Sequence, residues 1–124
     1  MRILVVDDNY DILELVQRVL ETEGYEVIIA RDGREALQRE TTSKPDVIVC
    51  DVNLPGLDGW EVCRQIKARR NVPIMLLTVR AERGDIERSF HAGADDHLPK
   101  PFDIAEFLRR ISVLCSGTSP SARP

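Results

Sequence analysis

The sequence predicts an α/β fold built on a parallel sheet. Strand-like and helix-like stretches alternate five times, always strand first, with short links between them. The strand-like runs, such as Ile3-Leu4-Val5-Val6 and Val47-Ile48-Val49-Cys50, are nearly unbroken in apolar residues. Strands covered by helices on both faces read that way.

The strands are expected near 2–6, 26–30, 46–50, 73–77 and 95–98. The helices are expected near 10–23, 33–42, 58–69, 82–92 and 103–115. The first helix carries Ile12, Leu13, Leu15, Val16, Val19 and Leu20 as one apolar stripe, and Gly24 stops it. The third opens at Asp58 with Glu61 three residues on, a capping-box spacing. The fourth has only Ile86 and Phe90 as large apolar residues, so it buries little and should be the most weakly held. The fifth opens at Asp103 with Glu106 in the capping relation, and sets Ile104, Phe107, Leu108, Ile111 and Leu114 on one face. Residues 1–115 thus form one domain, and residues 116–124, rich in Ser and Pro, read as a flexible tail or the start of a linker.

Composition narrows the class of function. The chain has 124 residues, 43% hydrophobic and 31% charged, which suits one globular domain. A net charge of -4 argues against a nucleic-acid surface on this segment. No apolar stretch is long enough to span a membrane. The first residues run straight into a strand, with no secretory signal expected, and Cys50, Cys63 and Cys115 form no close pair. A cytoplasmic chain with reduced thiols is the expectation, with Cys50 and Cys63 serving as small core residues.

The chemistry gathers at the strand ends. Val47–Cys50 runs into Asp51, Ile3–Val6 into Asp7-Asp8, Ile74–Leu77 into Thr78, and Asp96–Leu98 towards Lys100-Pro101. Ligands bind outside the carboxyl ends of strands in an open parallel sheet. Three converging carboxylates repel one another unless compensated, and a hard divalent cation such as Mg²⁺ is the natural compensation. An aspartate such as Asp51 can attack phosphorus, with the cation screening the incoming charge. Lys100 offers a point charge for a phosphoryl oxygen, and Thr78 a hydroxyl. Each has a plainer alternative: Asp7-Asp8 as a helix-capping loop, Thr78 as a strand terminus, Lys100 as a surface lysine. No hydrolase elbow, zinc-binding histidine cluster or Walker-type loop is present.

These residues, in this order, resemble the receiver domain of bacterial two-component response regulators. The pieces that match are Ile3-Leu4-Val5-Val6-Asp7-Asp8-Asn9, Asp51-Val52-Asn53-Leu54-Pro55-Gly56-Leu57-Asp58-Gly59, Leu77-Thr78, Gly93-Ala94-Asp95-Asp96 and Lys100-Pro101-Phe102, spanning Arg2 to about Leu114. The resemblance implies a flavodoxin-like, doubly wound (βα)5 sandwich with strand order 2-1-3-4-5. It implies phosphorylation of Asp51 by a histidine kinase or phosphotransfer protein. Mg²⁺ would be held by Asp8, Asp51 and the backbone carbonyl of Asn53, with Asp7 acting through water. Thr78 and the residue at 97 would move together, Lys100 would pair with the phosphoryl group, and the Lys100-Pro101 bond would be cis. The face made by the fourth helix, fifth strand and fifth helix would report the change to a partner, an output domain or a second copy.

Four departures from the family pattern stand out. Position 97, usually Tyr or Phe, is His97; a neutral ring replacement is the plain expectation, and weaker or pH-sensitive switching the sharper one. The residue after Thr78, usually small, is Val79, which would slow phosphoryl donors and water. Asn53 and Arg80 occupy positions that tune dephosphorylation in receivers. The branch joined to winged-helix DNA-binding domains dimerises through charge pairs, which Asp95, Asp96, Glu106 and Arg110 match. Two basic positions of that set are Ile86 and Ser112 here, so Asp95 and Glu106 would lack their usual cross-dimer partners. The alternatives to a phosphorylation switch are a docking receiver that works without phosphorylation and an aspartate-nucleophile phosphohydrolase. The latter wants an acid at position 53, which is Asn53.

Overall fold

The computed structural model describes residues 1–79 and 83–116. Arg80, the expected start of the fourth helix at Glu82, and most of the expected tail lie outside the described residues. The elements are β1 (Arg2–Val6), α1 (Tyr10–Thr22), β2 (Glu26–Ala30), α2 (Gly33–Ser43), β3 (Val47–Asp51), α3 (Gly59–Arg69), β4 (Ile74–Thr78), α4 (Arg83–His91), β5 (Asp96–Pro99) and α5 (Ile104–Cys115). All strand pairs are parallel, and the sheet order is β2-β1-β3-β4-β5.

Side chains alternate across the sheet with period two, and this makes two cores. Leu4, Val6, Ile48, Cys50, Ile74 and Leu76 meet Ala36 of α2 and Val62, Cys63 and Ile66 of α3. Ile3, Val5, Val47, Val49, Met75 and Leu77 meet Leu13, Val16 and Leu20 of α1 and Phe107, Ile111 and Leu114 of α5. A fully buried Ile, Leu or Val contributes about 1.5–3 kcal/mol relative to exposure, so the three central strands are the most firmly fixed part of the molecule. Cys50 and Cys63 are core residues, as expected. Among the described residues no helix is long and apolar enough to cross a membrane.

The helix ends differ from expectation in instructive ways. Asn9 caps α1, accepting from the amides of Asp11 and Ile12, so the cap is Asn9 rather than Asp7-Asp8. Gly24 follows the end of α1 with φ +92, the left-handed turn that favours glycine. Asp58 caps α3 through the Glu61 amide, and Asp103 caps α5 through the Ala105 amide. Glu61 and Glu106 turn their carboxylates to Arg64 and to Arg109 and Arg110, along their own helices. β1 and β2 keep their expected positions, but β3, β4 and β5 run one residue later than expected. Hydrogen bonding continues to their last residues: the Val52 amide donates to the Leu77 carbonyl at 2.8 Å and the Lys100 amide to the Thr78 carbonyl at 2.7 Å. Asp51 and Thr78 are therefore the final residues of their strands, held by the sheet itself.

Candidate functional site

Three adjacent strands, β1, β3 and β4, deliver Asp7, Asp51 and Thr78 to one end of the sheet, and the chain leaving β5 delivers Lys100. All three strand-end side chains are buried, whereas Asp8 and Asn53 are exposed. Lys100 Nζ donates to Asp7 Oδ2 at 2.8 Å and sits 3.1 Å from Asp51 Oδ1. The second contact is an ion pair whose angle makes no hydrogen bond, so Asp51 Oδ1 is buried without a hydrogen-bond donor. Asp7 Oδ1 accepts the Asn9 amide at 3.0 Å, which ties the acid to the cap of α1. The Lys100-Pro101 peptide bond is cis.

Carboxylate oxygens of Asp7, Asp8 and Asp51 lie within 4.8 Å of one another. One ammonium pairs with two of these three acids. Burial and then the neighbouring Asp7 raise the Asp51 pKa to about 6, against the lowering effect of Lys100. Burial opposes the charge on Lys100, but its hydrogen bond to Asp7 and the charge of Asp51 outweigh this and raise its pKa. The donor set is all oxygen, incompletely neutralised and open at Asp8. That fits a hard divalent cation such as Mg²⁺.

On the far side of β4, the His97 ring is buried in β5. Its Nδ1 lies 2.8 Å from Ser89 Oγ of α4, and Trp60 Nε1 of α3 donates to the same oxygen at 3.0 Å. The sequence reading missed Ser89 and Trp60. They lie 8 residues before and 37 before His97 in chain order, and no local pattern joins the three. Gly59 belongs to the matched motif but has no role assigned there; the structure sets it against the Asp51 backbone, where a Cβ would lie 2.3 Å from the carbonyl oxygen.

Over residues 3–112 the chain matches the response regulator receiver domain. The chain belongs to this family. It is 46% identical to the response regulator MprA of Mycolicibacterium vanbaalenii, over 97% of this chain and 52% of that protein. The MprA protein of Mycobacterium leprae is likewise 46% identical, over 97% of this chain and 53% of its own. The chain thus spans about half the length of these curated relatives. A putative response regulator from Chloroflexus aurantiacus superposes with a TM-score of 0.87 at 36% identity, covering 93% of this chain and 97% of that one. The BeF3-activated N-terminal receiver domain of Klebsiella pneumoniae RstA superposes with a TM-score of 0.89 at 28% identity, covering 93% and 98%.

In this receiver the residues expected on a dimer face are engaged within the chain. Asp96 is buried and pairs with Arg110 at 2.7 Å, and Arg110 also holds Glu106 at 2.6 Å. Asp95 turns away towards α3, where Lys67 Nζ lies 2.7 Å from its Oδ2, and the same oxygen accepts the Ile74 amide. Asp95 and Glu106 therefore have internal partners. Ile86 is half-buried and Ser112 exposed.

Proposed function

We propose that the receiver is a switch operated by phosphorylation of Asp51. The observation that carries this reading is the buried Asp51 carboxylate, set between the Lys100 ammonium and the acids Asp7 and Asp8 at the end of a rigid strand. An Asp51 oxygen would attack the phosphorus of a phosphohistidine on a sensor kinase or phosphotransfer protein. The new P–O bond forms as the P–N bond breaks, and the departing imidazole takes a proton. Asp8, Asp51 and the Asn53 carbonyl would hold Mg²⁺, with Asp7 acting through water. The bound cation supplies positive charge to the phosphoryl oxygens. Lys100 would pair with a phosphoryl oxygen and the Thr78 hydroxyl would donate to another. Thr78 and His97 would shift together, and the α4-β5-α5 face would pass the change to a partner, an output domain or a second copy in the cytoplasm. The chain itself would turn over no substrate beyond its own acyl phosphate.

Incubation with acetyl phosphate, with and without Mg²⁺, tests this. Intact mass should rise by one phosphoryl group in a Mg²⁺-dependent way, and Asp51→Ala should show no gain. An equal gain in the variant would overturn the assignment. Size-exclusion chromatography of the same samples reads whether phosphorylation makes a dimer.

A further inference from the structure

We propose that Ser89 and His97 form a pH-sensitive latch that fastens α4 to β5. The helix needs a fastening. Among the described residues neither core takes a side chain from α4, and Phe90 is 39% exposed. Among the described side chains of this helix Ser89 is the exception, fully buried. Its Oγ lies 2.8 Å from His97 Nδ1, 3.0 Å from Trp60 Nε1 and 3.1 Å from the Asp85 carbonyl one turn back. One hydroxyl joins α3, α4 and β5.

The count of donors fixes the proton on the ring. The indole N–H can only donate, and Ser89 has one proton to give. If that proton goes to the Asp85 carbonyl, His97 must carry its own on Nδ1 and donate to Ser89. Every contact is then a hydrogen bond, and on the ring only the Nε2 lone pair is left buried without a partner, as are Oδ2 of Asp85 and Oδ2 of Asp96. If Ser89 donates to His97 instead, the Asp85 bond is lost and a buried Nε2–H is left without an acceptor. Orphaned buried N–H groups are the rarer case. The latch therefore takes the neutral ring with Nδ1 protonated.

A second proton would have to go on the enclosed Nε2. Facing the ring are Asp85 of α4, Asp96 of β5 and Arg110 of α5, the last paired with Asp96 and Glu106. From α3 comes the uncharged Trp60, with Arg88 of α4 stacked over its indole. Burial lowers the His97 pKa; Asp96 and Asp85 raise it, Arg110 lowers it, and the net shift is downward. A ring released to solvent has the ordinary value, about 6.5. The latched state is thus favoured in full above that value and loses ground as pH falls through it, because the released ring takes the proton first. Mild acid loosens α4.

The latch belongs to the unphosphorylated chain and does not depend on phosphoryl acceptance by Asp51. The test uses the full chain in a His91→Gln background, since His91 is the second histidine and removing it leaves His97 as the sole imidazole signal. Nitrogen-15 spectra at about pH 8 should show His97 protonated on Nδ1. Hydrogen-exchange protection of α4, corrected for intrinsic rates and compared with α3 and α5, should fall several-fold between about pH 8 and about pH 5.5. His97→Phe should abolish this pH dependence. Ser89→Ala should leave α4 poorly protected at both pH values and move the His97 titration towards that of a free imidazole. An Nε2–H tautomer in the unaltered ring, or an equal pH response in His97→Phe, would overturn the latch. The tautomer and the His97→Phe comparison decide the matter even where Ser89→Ala folds poorly.

Discussion

The ammonium of Lys100 hydrogen-bonds Asp7, at 2.8 Å, rather than Asp51, which it only approaches, at 3.1 Å. Its charge is shared between two buried carboxylates, while its hydrogen bond is committed to one. Removing one partner from a buried ion pair is costly because the other charge is left uncompensated. Lys100→Met is expected to lower stability by about 2–3 kcal/mol at pH 8, discounted from the fully buried case because Lys100 keeps some exposure. The loss should shrink near pH 5, where Asp51 is protonated. Urea unfolding at the two pH values checks it; an equal loss at both would mean that Lys100 acts through packing.

Asp51 gives a pH dependence of its own. Its folded pKa, raised to about 6, lies above the ordinary carboxylate value of 3.8. Stability from this group is therefore complete below about pH 3.8 and is lost as pH rises through about 6. The shift corresponds to about 3 kcal/mol, and water at the crevice mouth reduces it to about 2. In chelator-treated buffer Asp51→Asn should match the unaltered chain near pH 4 and exceed it by about 2 kcal/mol at pH 8. Mg²⁺ added at pH 8 should narrow that gap, since it favours the folded state that holds it. Parallel stability curves for the two proteins would count against the raised pKa.

The sheet and the strand-end residues were legible because their signals are local. An apolar run followed by an acid, as at Val49-Cys50-Asp51, encodes both the strand and the side chain it delivers. The boundary of β3 was placed one residue early because hydropathy ends at Cys50, whereas backbone pairing continues to Asp51. The network around His97 was not legible, since Trp60, Ser89 and His97 meet only after α3, α4 and β5 have packed. Glu40 was missed for the same reason: it is buried in α2 by Arg69 and Arg70, thirty residues later. Asp95 matches a possible dimer face that leaves it without its usual cross-dimer partner; its contact with Lys67 is not legible in the sequence, because it depends on how α3 lies against β4.

Val79 follows Thr78 directly and is 63% exposed, so its branched side chain stands in solvent beside the end of β4. Small phosphoryl donors and attacking water approach Asp51 from this same end of the sheet. Val79→Ala should speed phosphorylation by acetyl phosphate, and loss of the phosphoryl group, by a factor of a few, equivalent to about 0.5–1 kcal/mol in the barrier. Stability should change little, because the side chain buries little. Unchanged rates in both directions would show that Val79 does not obstruct the site.

Gly59 opens α3 against the backbone that carries Asp51. A Cβ there would lie 2.3 Å from the Asp51 carbonyl oxygen and 2.7 Å from Val52 Cα. Both are main-chain atoms held by the sheet, and the Gly59 amide itself donates to the Val52 carbonyl at 2.9 Å, so neither side can yield without moving the strand end. Gly59→Ala is expected to destabilise the fold by about 1–3 kcal/mol and to slow phosphorylation of Asp51 by displacing it. Gly84, near the start of α4, is the matched control: a Cβ there meets nothing within 4 Å. Gly84→Ala should be neutral or stabilising by up to about 1 kcal/mol, through reduced freedom of the unfolded chain. Urea midpoints with acetyl phosphate labelling rates separate the two. A Gly59→Ala protein with the midpoint and labelling rate of the parent would show that α3 can shift away from β3 at no cost, and that the strand end bearing Asp51 is not fixed by this contact.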